Sequence, residues 1–206
     1  MTPPYTQILF NWPNLITLFR ISLIPLLVVF FYLPVTWAHF AAAIIFTIAS
    51  ITDWLDGYLA RYLKQTTKLG AFLDPVADKL MVSVVLVLIV AEPTFQLVST
   101  QVSTVSIPTA FIAIPAAIIV ARELMVSALR EWMAEIGKSA HVAVSKLGKI
   151  KTAAQMLALI VLLCCDSYAN PLLIYSGYML LYVAAVLTIW SMYLYLKAAW
   201  AQLISV

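Results

Sequence analysis

DWLDGYLARYLKQTTKLGAFLDPVAD, residues 53–78, contains four of the five aspartates in a chain of 206 residues. Asp53/Asp56 and Asp74/Asp78 have i,i+3 and i,i+4 spacing, so within helices each pair puts two carboxylates on one face. Apolar runs flank both pairs, and a carboxylate near hydrocarbon costs about 3 kcal/mol even on a lenient insertion scale. Four close carboxylates also repel one another until cations neutralise them. With oxygen donors and neither His nor Cys nearby, the pattern points to a hard divalent ion, Mg²⁺ or Mn²⁺, rather than zinc. Any one of these aspartates alone could simply cap a helix in water. That reading leaves Gly57 and Ala60 unexplained. They fall one turn beyond Asp53 and Asp56, where small side chains leave room for a bulky ligand, and Arg61 follows as an anion contact.

A composition that is 64% hydrophobic and only 10% charged excludes a water-soluble globule. It describes an all-α integral membrane protein, in which each span needs about 20 apolar residues. The opening, TPPYTQILFNWPNL, is too short to span and reads as an interfacial segment. Six transmembrane helices follow: about Leu15–Leu33, Phe40 to the first aspartate pair, Gly70–Ala91, Ile107–Ala128, Ile150–Cys165 and Leu172–Leu196. The fourth is expected to continue as a polar helix through Glu135. Pro34–His39, Glu92–Ser106, Gly137–Gly148 and Asp166–Pro171 read as turns or loops, and Lys64–Lys68 as a polar connector. Pro75 is expected in the first turn of the third span, where its missing N–H costs little. No cleaved signal peptide is expected, because MTPPYTQILF lacks a basic n-region and the first apolar run outlasts an h-region. Cys164 and Cys165, neighbours in an apolar run, read as packing residues; His39 and His141 fall in loops and carry no assigned role. Without repeats or low-complexity linkers, residues 1–206 are expected to form a single domain.

Six crossings put the N-terminus, the 61–69 connector, the 130–149 loop and the C-terminus on one side. All twelve Lys and Arg belong to that side or to helix ends facing it, while the opposite loops hold Glu92 and Asp166 and no cation. The basic side is then cytoplasmic, and the aspartates open toward it. A net charge of +3 is modest and nothing suggests nucleic acid as a partner. Arg122 lies inside the apolar run IPAAIIVARELMVSAL, and an intramembrane arginine needs a partner. Glu123 is expected on a different helix face, which leaves an external anion. Lys146, Lys149 and Lys151 crowd the start of the fifth span. They read either as ordinary cytoplasmic-side charge or, converging with Arg122, as a pocket for that anion.

The spacing D-x2-D-G-x2-A-R-x8-G-x3-D-x3-D is met by Asp53, Asp56, Gly57, Ala60, Arg61, Gly70, Asp74 and Asp78. It resembles the signature of the CDP-alcohol phosphotransferases, membrane enzymes that transfer a phosphatidyl group from a CDP-linked lipid to an alcohol with release of CMP. The resemblance implies two divalent cations on Asp53, Asp56, Asp74 and Asp78, with Asp78 also acting as the base toward the acceptor hydroxyl. It implies a nucleotide pocket at Asp56, Gly57, Ala60, Arg61 and Gly70. Asn14 and Thr17, one turn apart at the start of the first span, are candidates for diphosphate contacts or, equally, a helix cap and a buried hydroxyl. Beyond the signature, NWPNLITLFRI (11–21), ARELMVSALREWMAE (121–135) and GKIKTAAQ (148–155) are similar to the bacterial branch of the family that uses glycerol 3-phosphate. CDP-diacylglycerol, glycerol 3-phosphate and membrane lipid are then the expected partners, with Arg122, Lys146, Lys149 and Lys151 on the acceptor phosphate. A homodimer in the bacterial inner membrane, with its active site toward the cytosol, is expected. Sister acceptors (inositol phosphate, serine, phosphatidylglycerol) stay open, as does a cation channel or transporter with carboxylates along its path.

Overall fold

The structure, a computed structural model, describes residues 12–63, 68–99, 104–136, 146–165 and 171–204. These residues form six helices: α1 (Trp12–Phe31), α2 (Ala38–Leu63), α3 (Lys68–Ala91), α4 (Ala110–Glu135), α5 (Lys146–Leu163) and α6 (Pro171–Ile204). Between α3 and α4 lie a 3-10 turn at Pro93–Gln96 and two short strands, β1 (Leu97–Ser99) and β2 (Thr104–Ser106). The chain divides into two compact units, Met1–Ala91 with Leu163–Asp166, and Glu92–Leu162 with Ser167–Val206. The expected interfacial segment lies outside the described residues up to Asn11.

In the first unit α1 is the central strut. It packs along both α2 and α3, which meet each other far less. Its buried face reads Asn14, Thr17, Arg20, Leu23, Leu27 and Phe31, the three- and four-residue spacing of one helix stripe. The polar members lie in the N-terminal half of the helix and the apolar ones follow. Ala42, Ala43 and Ala49 of α2 are buried too, and small residues of this kind let membrane helices approach closely.

In the second unit α4 and α6 run alongside each other, with Val126, Met133, Tyr195 and Ala199 forming a buried cluster. A Cβ on Gly177 of α6 would come within 2.7–2.8 Å of the Leu162 side chain, so a larger residue at this contact with α5 would force that side chain to shift.

Helices α1, α4 and α6 are each long and apolar enough to cross a membrane, over Asn14–Phe31, Ala110–Glu135 and Pro171–Trp200. Shorter apolar stretches occupy Ala38–Asp53 of α2 and Ile150–Leu163 of α5. In α3, Asp74, Asp78 and Lys79 interrupt the apolar run. Large apolar side chains are exposed on every helix, among them Val29, Phe40, Val87, Leu124, Leu157 and Val186. Water would not tolerate that much exposed hydrocarbon and lipid does. This is an integral membrane protein.

Three expectations need correction. Helix α3 begins at Lys68, so Pro75 sits two turns inside it rather than in its first turn. It removes one rung of the hydrogen-bond ladder in the turn that carries Asp74. The segment Glu92–Ser106 is more than a loop: β1 and β2 pair antiparallel, with Leu97 opposite Ser106, Val98 opposite Val105 and Ser99 opposite Thr104. Its β-branched residues favour a strand over a loop. Tyr178 Oη of α6 donates to the Phe95 carbonyl at 2.8 Å and ties the preceding turn down. Finally, α6 has 34 residues, about 51 Å at 1.5 Å per residue, and runs well past the expected end at Leu196.

Candidate active site

Three of the four motif carboxylates have described side chains, and two of them are held by α1. Arg20, only 1% exposed, donates through Nη1 to Asp53 Oδ1 as an ion pair between α1 and α2. One turn earlier, Thr17 Oγ1 donates to Asp74 Oδ1 of α3 at 2.6 Å. A single stripe of α1 therefore ties together carboxylates from both halves of the motif. The Asp53 side chain is 40% exposed, and Asp74 and Asp78 are half-buried, so the oxygens remain reachable.

Asp78 lies one turn beyond Asp74 on α3, as its spacing predicts. Among the described residues no three His, Cys, Asp or Glu side chains gather as a ready-made metal cage. The donor chemistry nevertheless fits a hard divalent cation: all-oxygen groups, partly exposed, on adjoining helices. An apolar groove of about 520 Å³ runs between α1 and α2, lined by Leu15, Ile16, Leu18, Phe19, Ser22, Thr52 and Leu55, the last two close to Asp53 in sequence.

The side chains of Asp56, Gly57, Ala60 and Arg61 lie outside the described residues, although their backbone continues α2. Gly70 is buried in α3, and Asn14 is buried on α1 beside Thr17. For Thr17 the geometry favours the buried-hydroxyl alternative, since the group is occupied by Asp74.

The second unit holds a cationic cluster. Arg122 of α4 is 5% exposed and donates to Ser191 Oγ of α6 at 2.7 Å and to Glu123 Oε1 at 3.1 Å. Lys151 of α5 is also buried and pairs with the same Glu123 oxygen. This overturns the expectation that Glu123 points away from Arg122. Successive helix positions are about 100° apart, but both side chains are long and flexible enough to meet around the helix surface. The Arg122 and Arg130 guanidinium groups lie 5.4 and 5.3 Å from the Tyr195 ring, and Arg130 donates to its hydroxyl at 3.0 Å. Arg122 Nε, Gln155 Oε1 and Thr188 Oγ1 are buried without a hydrogen-bond partner among the described residues. The side chains of Lys146 and Lys149 lie outside the described residues.

The sequence profile of the CDP-alcohol phosphatidyltransferases matches residues 10–190. The chain belongs to that family. Among its relatives are proteins from Escherichia coli K12 and Shigella sonnei Ss046, each named CDP-diacylglycerol–glycerol-3-phosphate 3-phosphatidyltransferase. Each is 52% identical over 195 residues, covering 95% of this chain and 98% of the relative. A Shigella flexneri serotype 5b protein of the same name matches to the same extent. Phosphatidyltransferases of this family generally depend on divalent metal.

Arg20, Glu123, Ser191 and Tyr195 were not among the predicted site residues. Arg20 carried a signal that could have found it: Asn14, Thr17 and Arg20 recur every three residues in an otherwise apolar helix, which marks one polar face. Ser191 and Tyr195 sit in a long apolar run with no such pattern.

Proposed function

We propose that this phosphatidyltransferase moves the phosphatidyl group of CDP-diacylglycerol to glycerol 3-phosphate, giving phosphatidylglycerophosphate and CMP. The observation that carries the reading is the 52% identity, over 95% of the chain, to relatives bearing that activity in their names. An acceptor hydroxyl oxygen attacks the lipid-side phosphorus, the bond from phosphorus to the CMP oxygen breaks, and CMP leaves with the electron pair. Asp78 takes the hydroxyl proton, as a carboxylate can once that hydroxyl is acidified. Asp53, Asp56, Asp74 and Asp78 would hold two divalent cations, Mg²⁺ or Mn²⁺, which when bound neutralise charge on the attacking and leaving oxygens. Arg20 and Thr17 orient two of those carboxylates.

Asn14, Asp56, Gly57, Ala60, Arg61 and Gly70 are assigned to the nucleotide and diphosphate, while Thr17 stays on Asp74. The apolar groove between α1 and α2 suits an acyl chain. Arg122, with Lys146, Lys149 and Lys151, is assigned to the acceptor phosphate. The reading extends to six spans, one domain over residues 1–206, a homodimer, and a cytosol-facing site in the bacterial inner membrane.

The test is CMP release by the purified protein from CDP-diacylglycerol with Mg²⁺ or Mn²⁺ and each acceptor in turn. Glycerol 3-phosphate should support release, and serine, inositol phosphate and phosphatidylglycerol should stay at background. Preference for another acceptor would overturn the acceptor assignment, and metal-independent release would overturn the metal assignment.

A further inference from the structure

Two buried cations from different helices, Arg122 and Lys151, share the carboxylate of Glu123. Together the three side chains carry one net positive charge. Buried cations with no anion are costly, so this carboxylate stabilises the cluster when no ligand is present. Glu123 is also the most exposed member, at 21% of its side chain against 6% for Arg122 and 4% for Lys151. Being the more exposed, it is the member with room to move, whereas Arg122 is held by Ser191 and the Tyr195 ring. A phosphate monoester brings about −1.5 to −2 charges at pH 7 and three acceptor oxygens, against one charge and two oxygens for a carboxylate. Both anions on the same two cations would repel each other.

We propose that Glu123 is an internal surrogate for the acceptor phosphate, occupying Arg122 and Lys151 until a phosphorylated acceptor displaces it. The inference rests on the reading of Arg122 and Lys151 as the acceptor-phosphate site. Glu123 is then a positioning and specificity residue. A neutral alcohol offers nothing to displace it, and a weak anion is disadvantaged relative to an ester that also gains contacts through its glycerol moiety.

The test compares the purified full-length wild type with Glu123→Gln, which keeps the shape and removes the charge. In the variant the KM for glycerol 3-phosphate should fall about five- to tenfold, the lower end of the usual coupling between two binding events, with kcat within about twofold. The inhibition constant of inorganic phosphate should fall at least as much. Inorganic phosphate should also raise the melting temperature of the variant more than that of the wild type, because its cations now lack an anion. An unchanged or raised KM, with unchanged phosphate inhibition, would overturn the proposal. Should Glu123→Gln not fold, Glu123→Asp, which reaches the cations less well, must shift both constants the same way by a smaller factor. Arg122→Gln separates the two readings. If it leaves the KM for glycerol 3-phosphate unchanged, the acceptor-site assignment itself fails. If it raises that KM while the Glu123 variants lower nothing, only the surrogate role fails.

Discussion

Asp53 and Asp74 take their partners from another helix, whereas Arg122 takes one from the next residue along its own. The first arrangement fixes geometry: Arg20 and Thr17 lie one turn apart on α1, and moving either carboxylate would mean moving a packed helix. The second fixes charge and leaves geometry adjustable, since Glu123 can release the cations without any helix shifting. That difference suits the proposed tasks. Carboxylates that hold cations around a reacting phosphorus need positions set in advance. A cationic cluster that admits and releases a soluble acceptor needs a stable empty state.

The strongest way to break this comparison is to remove the carboxylates one at a time. Asp53→Asn, Asp56→Asn, Asp74→Asn and Asp78→Asn should each lower kcat about 10³-fold or more, because each removes a proposed cation ligand or the proposed base. Helix content by circular dichroism should be unchanged, since the neutral isostere relieves repulsion. Near-normal turnover in any two of them would end the two-cation reading.

Next in size is Arg122→Ala. A charge-assisted hydrogen bond is worth about 1.5–3 kcal/mol, so the KM for glycerol 3-phosphate should rise roughly 10- to 150-fold. The KM for CDP-diacylglycerol should hardly move. A rise confined to the lipid substrate would show that Arg122 serves structure instead.

The first cluster is sharpened by Arg20→Met, which keeps much of the buried volume and removes the cation. Asp53 is well exposed, so water screens part of the loss, and the cost should be only about 1–2 kcal/mol. In chelator the melting temperature should drop, and Mn²⁺ should restore most of the drop by supplying the missing positive charge. An equal drop with and without Mn²⁺ would mean that Arg20 acts through packing alone.

Much of this was legible in the sequence because membrane physics limits the alternatives. The helices appear where apolar runs are long enough, and the motif aspartates are conspicuous because carboxylates are so costly beside hydrocarbon. The errors come from side-chain reach and local pairing. Helical-wheel reasoning places Glu123 away from Arg122, but it follows Cβ directions and ignores how far two long side chains extend. The strands β1 and β2 are only three residues each, too short for alternation to stand out from a polar loop. The Arg20–Asp53 and Thr17–Asp74 pairs span 33 and 57 positions, and which helices adjoin is decided by packing that no local pattern encodes.

The smallest effect expected is also the most discriminating within the second unit. Ser191 Oγ accepts from Arg122 Nη2 at 2.7 Å, a neutral partner on α6 for a guanidinium that already has Glu123 beside it. Ser191→Ala removes that acceptor and leaves both charges in place. Losing the positioning raises the KM, and the freed N–H, which an arriving phosphate can take up, offsets part of that rise. A rise of about two- to fivefold for glycerol 3-phosphate follows, the effect of a bond worth about 0.5–1 kcal/mol. Measured beside Arg122→Ala under the same conditions, a rise as large as that variant's would show that α6, rather than Glu123, sets the guanidinium. The position of the guanidinium would then be set chiefly from another helix, just as the carboxylates' positions are, and the contrast between the two regions would disappear.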